Sequence, residues 1–334
     1  MKNKNAVLKI LAELCRLLIG VVFIFSGFVK AVDPMGGAIK IGEYLASFGL
    51  DMLQPFTVLL SFNLSAIEFA LGVCMLLGVY RRYVSFLILI FMAFMTPLTL
   101  YLALFDPVSD CGCFGDALVI SNWETFFKNI VLSLAAIVTF IYNQRLFQGF
   151  TFRAYWFVAL YAYLFGVGFA YYNYNHLPVI DFRPYKIGAN IPKLMEMPEE
   201  APQDEYKYTF VYEKDGVKKE FSLEDYPAND SSWTFVDSKT ELVKKGYQPP
   251  VAAFNIYNGK GDDVTEEIIG NPGPVLLLVA PKLEEADDEQ MDEINGVYDY
   301  ALEHDIPFYC VTGSSPEGQY RGRISFPDGG RGTA

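Results

Sequence analysis

Residues 109–116 read Ser-Asp-Cys-Gly-Cys-Phe-Gly-Asp, which sets two thiols one residue apart. Such a pair can close only a small, strained ring. Strain raises a disulfide's reduction potential, so Cys111 and Cys113 form a candidate thiol–disulfide exchange pair. Gly112 and Gly115 permit the backbone such a ring needs. Asp110 and Asp116 flank the pair, and nearby negative charge disfavours thiolate. A helix start expected just beyond, near Ser121 or Asn122, acts the other way, because helix amides lower a thiol pKa. Two other readings stay open: a structural disulfide, and half of a metal site. Zinc needs two further ligands. With five Cys and two His in the whole chain, no second pair or nearby His supplies them.

Glu68 lies in the middle of an apolar stretch, Ser65-Ala66-Ile67-Glu68-Phe69-Ala70. A carboxylate at that depth faces a bundle interior or pocket, where it can relay a proton, contact a ligand or serve as a hydrogen-bonded packing residue. Glu13 and Arg16 have the i, i+3 spacing of a local helical pair. Cys15 and Cys74 read as small hydrophobes within helices, and Cys310 as an inert residue of a core strand. The aromatic run from Tyr161 to Tyr174, with Trp156, reads as interface anchoring.

The elements that must position these residues are apolar helices. A spanning helix needs about 20 apolar residues, and five windows qualify: 10–29, 57–79, 83–105, 125–142 and 155–172. No small-x-small cleavage site follows the first, so it reads as an uncleaved helix, not a signal peptide. Lys2, Lys4 and Lys9 precede the first window, Arg81 and Arg82 join the second to the third, and Arg145 and Arg153 join the fourth to the fifth. The Cys loop has no Lys or Arg. This asymmetry predicts a cytoplasmic N-terminus, with the Cys loop and the C-terminal region on the periplasmic or extracytoplasmic side of the inner (plasma) membrane, where disulfides persist. The net charge of −13, concentrated in the second half, argues against nucleic-acid binding.

Beyond His176 the composition turns ordinary. Residues 177–249 read as a connector rich in Pro and acid with a short strand pair, Tyr206–Glu213 and Val217–Leu223, about an Asp215-Gly216 turn. Further on come a short strand at Ala253–Ile256, a buried strand at Val275–Ala280, an amphipathic helix within Glu284–His304 and a strand at Ile306–Thr312, which together make a β-α-β unit. Residues 250–320 resemble a partial thioredoxin-like domain, of the peroxiredoxin and TlpA-like branch. Where redox-active members carry Cys-x-x-Cys, this chain reads Pro281-Lys282-Leu283-Glu284-Glu285-Ala286, which implies a docking or vestigial role. Residues 321–334 show no strand period and read as an irregular tail from a truncation or a shifted frame.

Residues 8–145 resemble the DoxX-like superfamily, MauE-like branch. The resemblance rests on Phe25-Ser26-Gly27-Phe28-Val29-Lys30 with Asp33-Pro34, on Gly42-Glu43-Tyr44-Leu45, on Glu68 with Leu71-Gly72 and Leu77-Gly78-Val79, and on Asp110-Cys111-Gly112-Cys113-Phe114-Gly115-Asp116. It implies a four-helix membrane module over 1–145, with residues 146–176 adding a fifth transmembrane helix that tethers the small α/β domain. It also implies a link to methylamine utilisation, through disulfide formation in a periplasmic dehydrogenase subunit, and DoxX and DoxD relatives add quinone-linked thiosulfate oxidation. The expectation is a multi-pass protein whose Cys111 and Cys113 exchange with periplasmic protein thiols or disulfides, coupled to a membrane carrier such as quinone, with Glu68 lining the pocket and no metal. The alternative is a non-enzymatic scaffold that presents a redox-inactive domain, its Cys pair stapling a loop.

Overall fold

The computed structural model describes residues 2–105, 108, 111–198, 201–202, 205–214, 217–222, 232–244, 246–247, 249, 251, 254–280 and 291–314. The chain divides into two compact units, Met1–Lys186 and Ile187–Ala334.

The first unit is helical: α1 (Lys2–Val32), α2 (Pro34–Ser47), α3 (Thr57–Leu77), α4 (Arg81–Phe105), α5 (Asn122–Ile141) and α6 (Tyr155–Asn175). Among the described residues, four stretches are long and apolar enough to cross a membrane: Asp51–Leu77, Arg81–Phe105, Asn122–Ile141 and Phe152–Asn175. Their packing suits lipid. Large apolar side chains such as Leu59, Phe94, Leu134 and Phe157 point outward, while Ser65, Ser85, Thr99, Thr125 and Thr139 are fully buried. Small and hydroxylated residues inside and bulky ones outside are the pattern expected where lipid replaces water as solvent.

The Lys30-to-Thr57 connection, expected as a loop, contains a further helix. Pro34 opens α2, and the Asp33 carboxylate accepts from the Gly36 amide at 2.9 Å as its N-cap. At 14 residues α2 is too short to read as a span.

The α1–α3 contact is the closest determinant of the site. A Cβ on Gly27 would lie 2.4 Å from the Phe69 amide nitrogen, so only glycine lets the two backbones approach this far. The expected Glu13–Arg16 pair forms at 2.6 Å. Arg16 also donates to the carbonyls of Met75 (3.3 Å) and Leu76, satisfying the C-terminal end of α3. At the other end of α1, Asn173 of α6 donates to the Ala31 carbonyl at 3.2 Å.

In the second unit, one turn of helix, α7 (Ile191–Met195), interrupts the expected extended connector. The expected strand pair is instead a three-stranded antiparallel sheet in the order β2 (Val217–Ser222), β1 (Glu205–Lys214), β3 (Thr234–Lys244). A short helix, α8 (Thr265–Ile269), precedes β4 (Leu276–Ala280), α9 (Met291–Glu303) and β5 (Phe308–Thr312). β4 and β5 pair in parallel, Leu276 opposite Phe308, in the β-α-β order read from the sequence. Phe254–Ile256 is not a strand; near it only Tyr257 and Asp263 form an isolated bridge. The stretches Pro281–Ala286 and 321–334, on which the missing-Cys and tail readings fall, lie outside the described residues.

Candidate functional site

The Cys loop leaves α4 and folds back over the C-terminal end of α1. Gly112 adopts φ +63°, the left-handed conformation that glycine permits, and its carbonyl accepts from the Gly115 amide at 3.2 Å. The resulting turn brings the two sulfurs to 2.6 Å, within near-bonding reach of each other, with no disulfide between them. The Tyr44 hydroxyl of α2 donates to the Cys111 carbonyl at 2.7 Å and holds the loop down. Both cysteines are buried, at 7% and 9% exposure, although a loop position predicts access.

The structure brings Glu68 to the same place. Lys30 Nζ donates to Glu68 Oε1 at 2.7 Å and to Oε2 at 2.9 Å. The Ser26 hydroxyl lies 2.7 Å from Glu68 Oε2 and 2.8 Å from the Cys113 carbonyl oxygen. Helical spacing sets Ser26 and Lys30 on one face of α1, and the Gly27 contact presses that face onto α3. A small cavity of about 30 Å³ is lined by Ser26, Lys30, Glu68, Cys113, Lys128 and Asn129, and walled by Phe23, Phe91 and Phe114. It holds little more than a water-sized group.

The amide end of α5 carries its own capping box: the Ser121 hydroxyl accepts from the Glu124 amide, and Glu124 accepts from the Ser121 amide. Asp116 follows the pair by three residues. It lines a separate cavity with Asp33, Asp181 and Arg183, and its charge acts on Arg183. Asp110 lies outside the described residues. The thiols instead feel cations. Cys113 is lowered to about 6, first by the hydrogen bond from Cys111, then, against burial and the Glu68 charge, by Lys128 and Lys30. Cys111, which keeps the shared proton and is buried, is pushed far up.

Lys128 also lines the Cys113 cavity, and the sequence alone gives little sign of it. Its Nζ sits 4.0 Å from the centroid of the Phe114 ring, a cation–π contact. Its signal was a lone cation within the apolar α5, the kind of residue that marks function in membrane segments. The remaining candidates are elsewhere: Cys74 is buried on α3, Cys15 lies on α1 and Cys310 in β5. Among the described residues, no three His, Cys, Asp or Glu converge as metal ligands.

Residues 8–142 match the family model described as Methylamine utilisation protein MauE. That segment contains α2 to α5 and nearly all of α1, with the whole Cys loop and Glu68, and agrees with the MauE-like resemblance read over residues 8–145. Residues 206–245 match a domain of unknown function (DUF8463), which covers the three-stranded sheet. No curated protein and no solved structure matches the chain. The chain thus carries a MauE-matched multi-pass membrane region followed by a region of short strands.

Proposed function

We propose that this protein is a thiol–disulfide redox component of the plasma membrane, in which Cys111 and Cys113 exchange with thiols or disulfides of envelope proteins. The observation that carries the reading is the 2.6 Å approach of the two sulfurs beside the Ser26–Glu68–Lys30 cluster. A dithiol that must be oxidised and reduced needs a place for protons. Glu68 and Cys113 line the same cavity, which has room for one water-sized group to bridge them.

In this reading α1 is a fifth span. Arg16, midway along α1, meets the C-terminal end of α3, and Ala31, near its end, meets α6, which supports this reading. The flanking Lys and Arg put its N-terminus in the cytoplasm and the Cys loop, with the second unit, outside. Electrons pass to or from a quinone-type carrier. The small cavity cannot take a quinone ring, but a wholly apolar groove of about 470 Å³ can, and it is lined by Leu71, one helical turn beyond Glu68. The β4–α9–β5 order supports a thioredoxin-like docking role for residues 250–320.

The test is the redox state of Cys111 and Cys113 in intact cells, read by differential alkylation and mass spectrometry with and without a block of the respiratory chain. A mixed state that shifts under the block, and loss of partner oxidation in Cys111→Ser and Cys113→Ser, support the reading. Burial of both thiols favours the alternative of a loop staple in a scaffold protein. A pair that stays oxidised under every condition establishes that alternative.

A further inference from the structure

Among the described residues that line the Cys113 cavity, two lysines face one carboxylate, and the charges balance only with a Cys113 thiolate. From α1 comes Lys30, from α3 Glu68 and from α5 Lys128; α4 contributes Phe91, Met92 and Met95 to the same cavity. From α2, Tyr44 bonds the loop, and Lys40 packs against Gly112, its Cγ 3.2 Å from where a Cβ there would sit. In the loop itself stand Cys111 and Asp116, whose charge also acts on Arg183, while Asp110 lies outside the described residues. Lys30 and Glu68 close on each other through two hydrogen bonds. Lys128 has no carboxylate partner among the described residues, and its ammonium rests on the Phe114 ring beside Cys113. A half-buried ammonium next to a buried thiol is an arrangement that stabilises thiolate.

We propose that Lys128 is the counter-charge of a Cys113 thiolate, which makes Cys113 the attacking sulfur and Cys111 the resolving thiol. The inference rests on the thiol–disulfide reading of the pair and assigns its chemistry. Cys113 attacks one sulfur of a partner disulfide, forming a mixed disulfide as the partner's S–S bond breaks and the first partner sulfur leaves as thiolate. Cys111 then gives its proton to that thiolate, attacks Cys113 Sγ and releases the second partner sulfur as thiolate. Two electrons move from the pair to the partner, and the reverse reaction follows the same path. In the reduced state two cations face two anions; in the disulfide they face Glu68 alone. Lys128 therefore favours the reduced pair and makes the disulfide the stronger oxidant.

The experiment is pulsed iodoacetamide labelling of the reduced full-length protein in detergent from pH 5 to 9, with Cys111 and Cys113 resolved by peptide mass spectrometry. The expected result is labelling of Cys113 before Cys111 with a midpoint near 6. In Lys128→Met the midpoint rises, and labelling at pH 7 slows on the order of tenfold; Lys128→Arg retains the wild-type profile. Labelling of Cys111 first, an unmoved midpoint in Lys128→Met, or labelling of neither thiol in the folded protein overturns the proposal. Thermal unfolding checks each variant's fold, and the labelling order in the wild type decides even if Lys128→Met does not fold. A shifted midpoint without exchange in cells sinks the redox function alone; exchange in cells with an unmoved midpoint sinks only the role of Lys128.

Discussion

The Ser26 hydroxyl of α1 reaches the backbone carbonyl of Cys113 at 2.8 Å, 87 residues further along the chain. The same oxygen is 2.7 Å from Glu68 Oε2. One O–H can serve only one acceptor at a time, so Ser26 stands between the loop carbonyl and the carboxylate. The hydroxyl thus ties the position of the Cys loop to α3. Ser26→Ala leaves a buried carbonyl and a buried carboxylate short of a partner, a loss of about 1–3 kcal/mol. Thermal unfolding in detergent measures it, and an unchanged Tm refutes the tie.

Lys30 and Glu68 form a buried pair, with side-chain exposures of 12% and 3%. Removing one partner strands the other's charge, at roughly 3–5 kcal/mol, whereas removing both is far milder. Lys30→Met and Glu68→Gln should each lower the unfolding midpoint sharply, and the double variant should recover most of the loss. Additive effects in that cycle would show that the two side chains do not depend on each other.

Gly27→Ala tests the helix approach that builds the site. The added methyl meets the α3 backbone at 2.4 Å, where nothing flexible can give way. Overpacking of this kind costs about 1–3 kcal/mol, and here it also pulls Ser26 away from Glu68. Gly168→Ala, with nothing within 4 Å of the new methyl, serves as the tolerated control. Equal unfolding midpoints for the two variants would contradict the tight crossing.

The reduced protein should gain stability as pH rises from about 6 toward the ordinary thiol pKa of about 8.5. In that window folded Cys113 is ionised while the unfolded thiol still holds its proton, so the unfolded state binds more protons and stability climbs with pH. Above it the raised Cys111 acts oppositely, because the folded state then retains the proton. The disulfide form lacks both effects. Unfolding midpoints of the reduced and oxidised protein across pH 5–10 check this, and parallel curves would remove the assignment of the thiolate.

The helices that cross the bundle were legible because each is a long apolar run, and the sulfur pair and Glu68 stand out against such surroundings by residue type alone. Their neighbours were not. Lys30 reads as a loop cation and Ser26 as one polar residue among apolar ones until the α1–α3 crossing sets both on Glu68. Lys128 is brought to Cys113 only by the Cys-loop turn. In the second unit β3 was missed because Thr-Phe-Val-Asp-Ser-Lys-Thr-Glu-Leu-Val-Lys alternates poorly. Its pairing with β1, from Glu213–Thr234 to Glu205–Lys244, is a tertiary fact with a register shift between Val211 and Tyr212.

The Lys30–Glu68 pair also constrains biogenesis. The two residues lie on different helices, separated by α2, and each alone costs roughly 2.5–3.5 kcal/mol to leave in a bilayer centre. α1 and α3 are therefore best delivered to lipid together, as a hairpin already neutralised across its seam. Insertion of either helix without the other leaves one of the two charges unpaired, which makes joint insertion of α1 and α3 the lower-cost route.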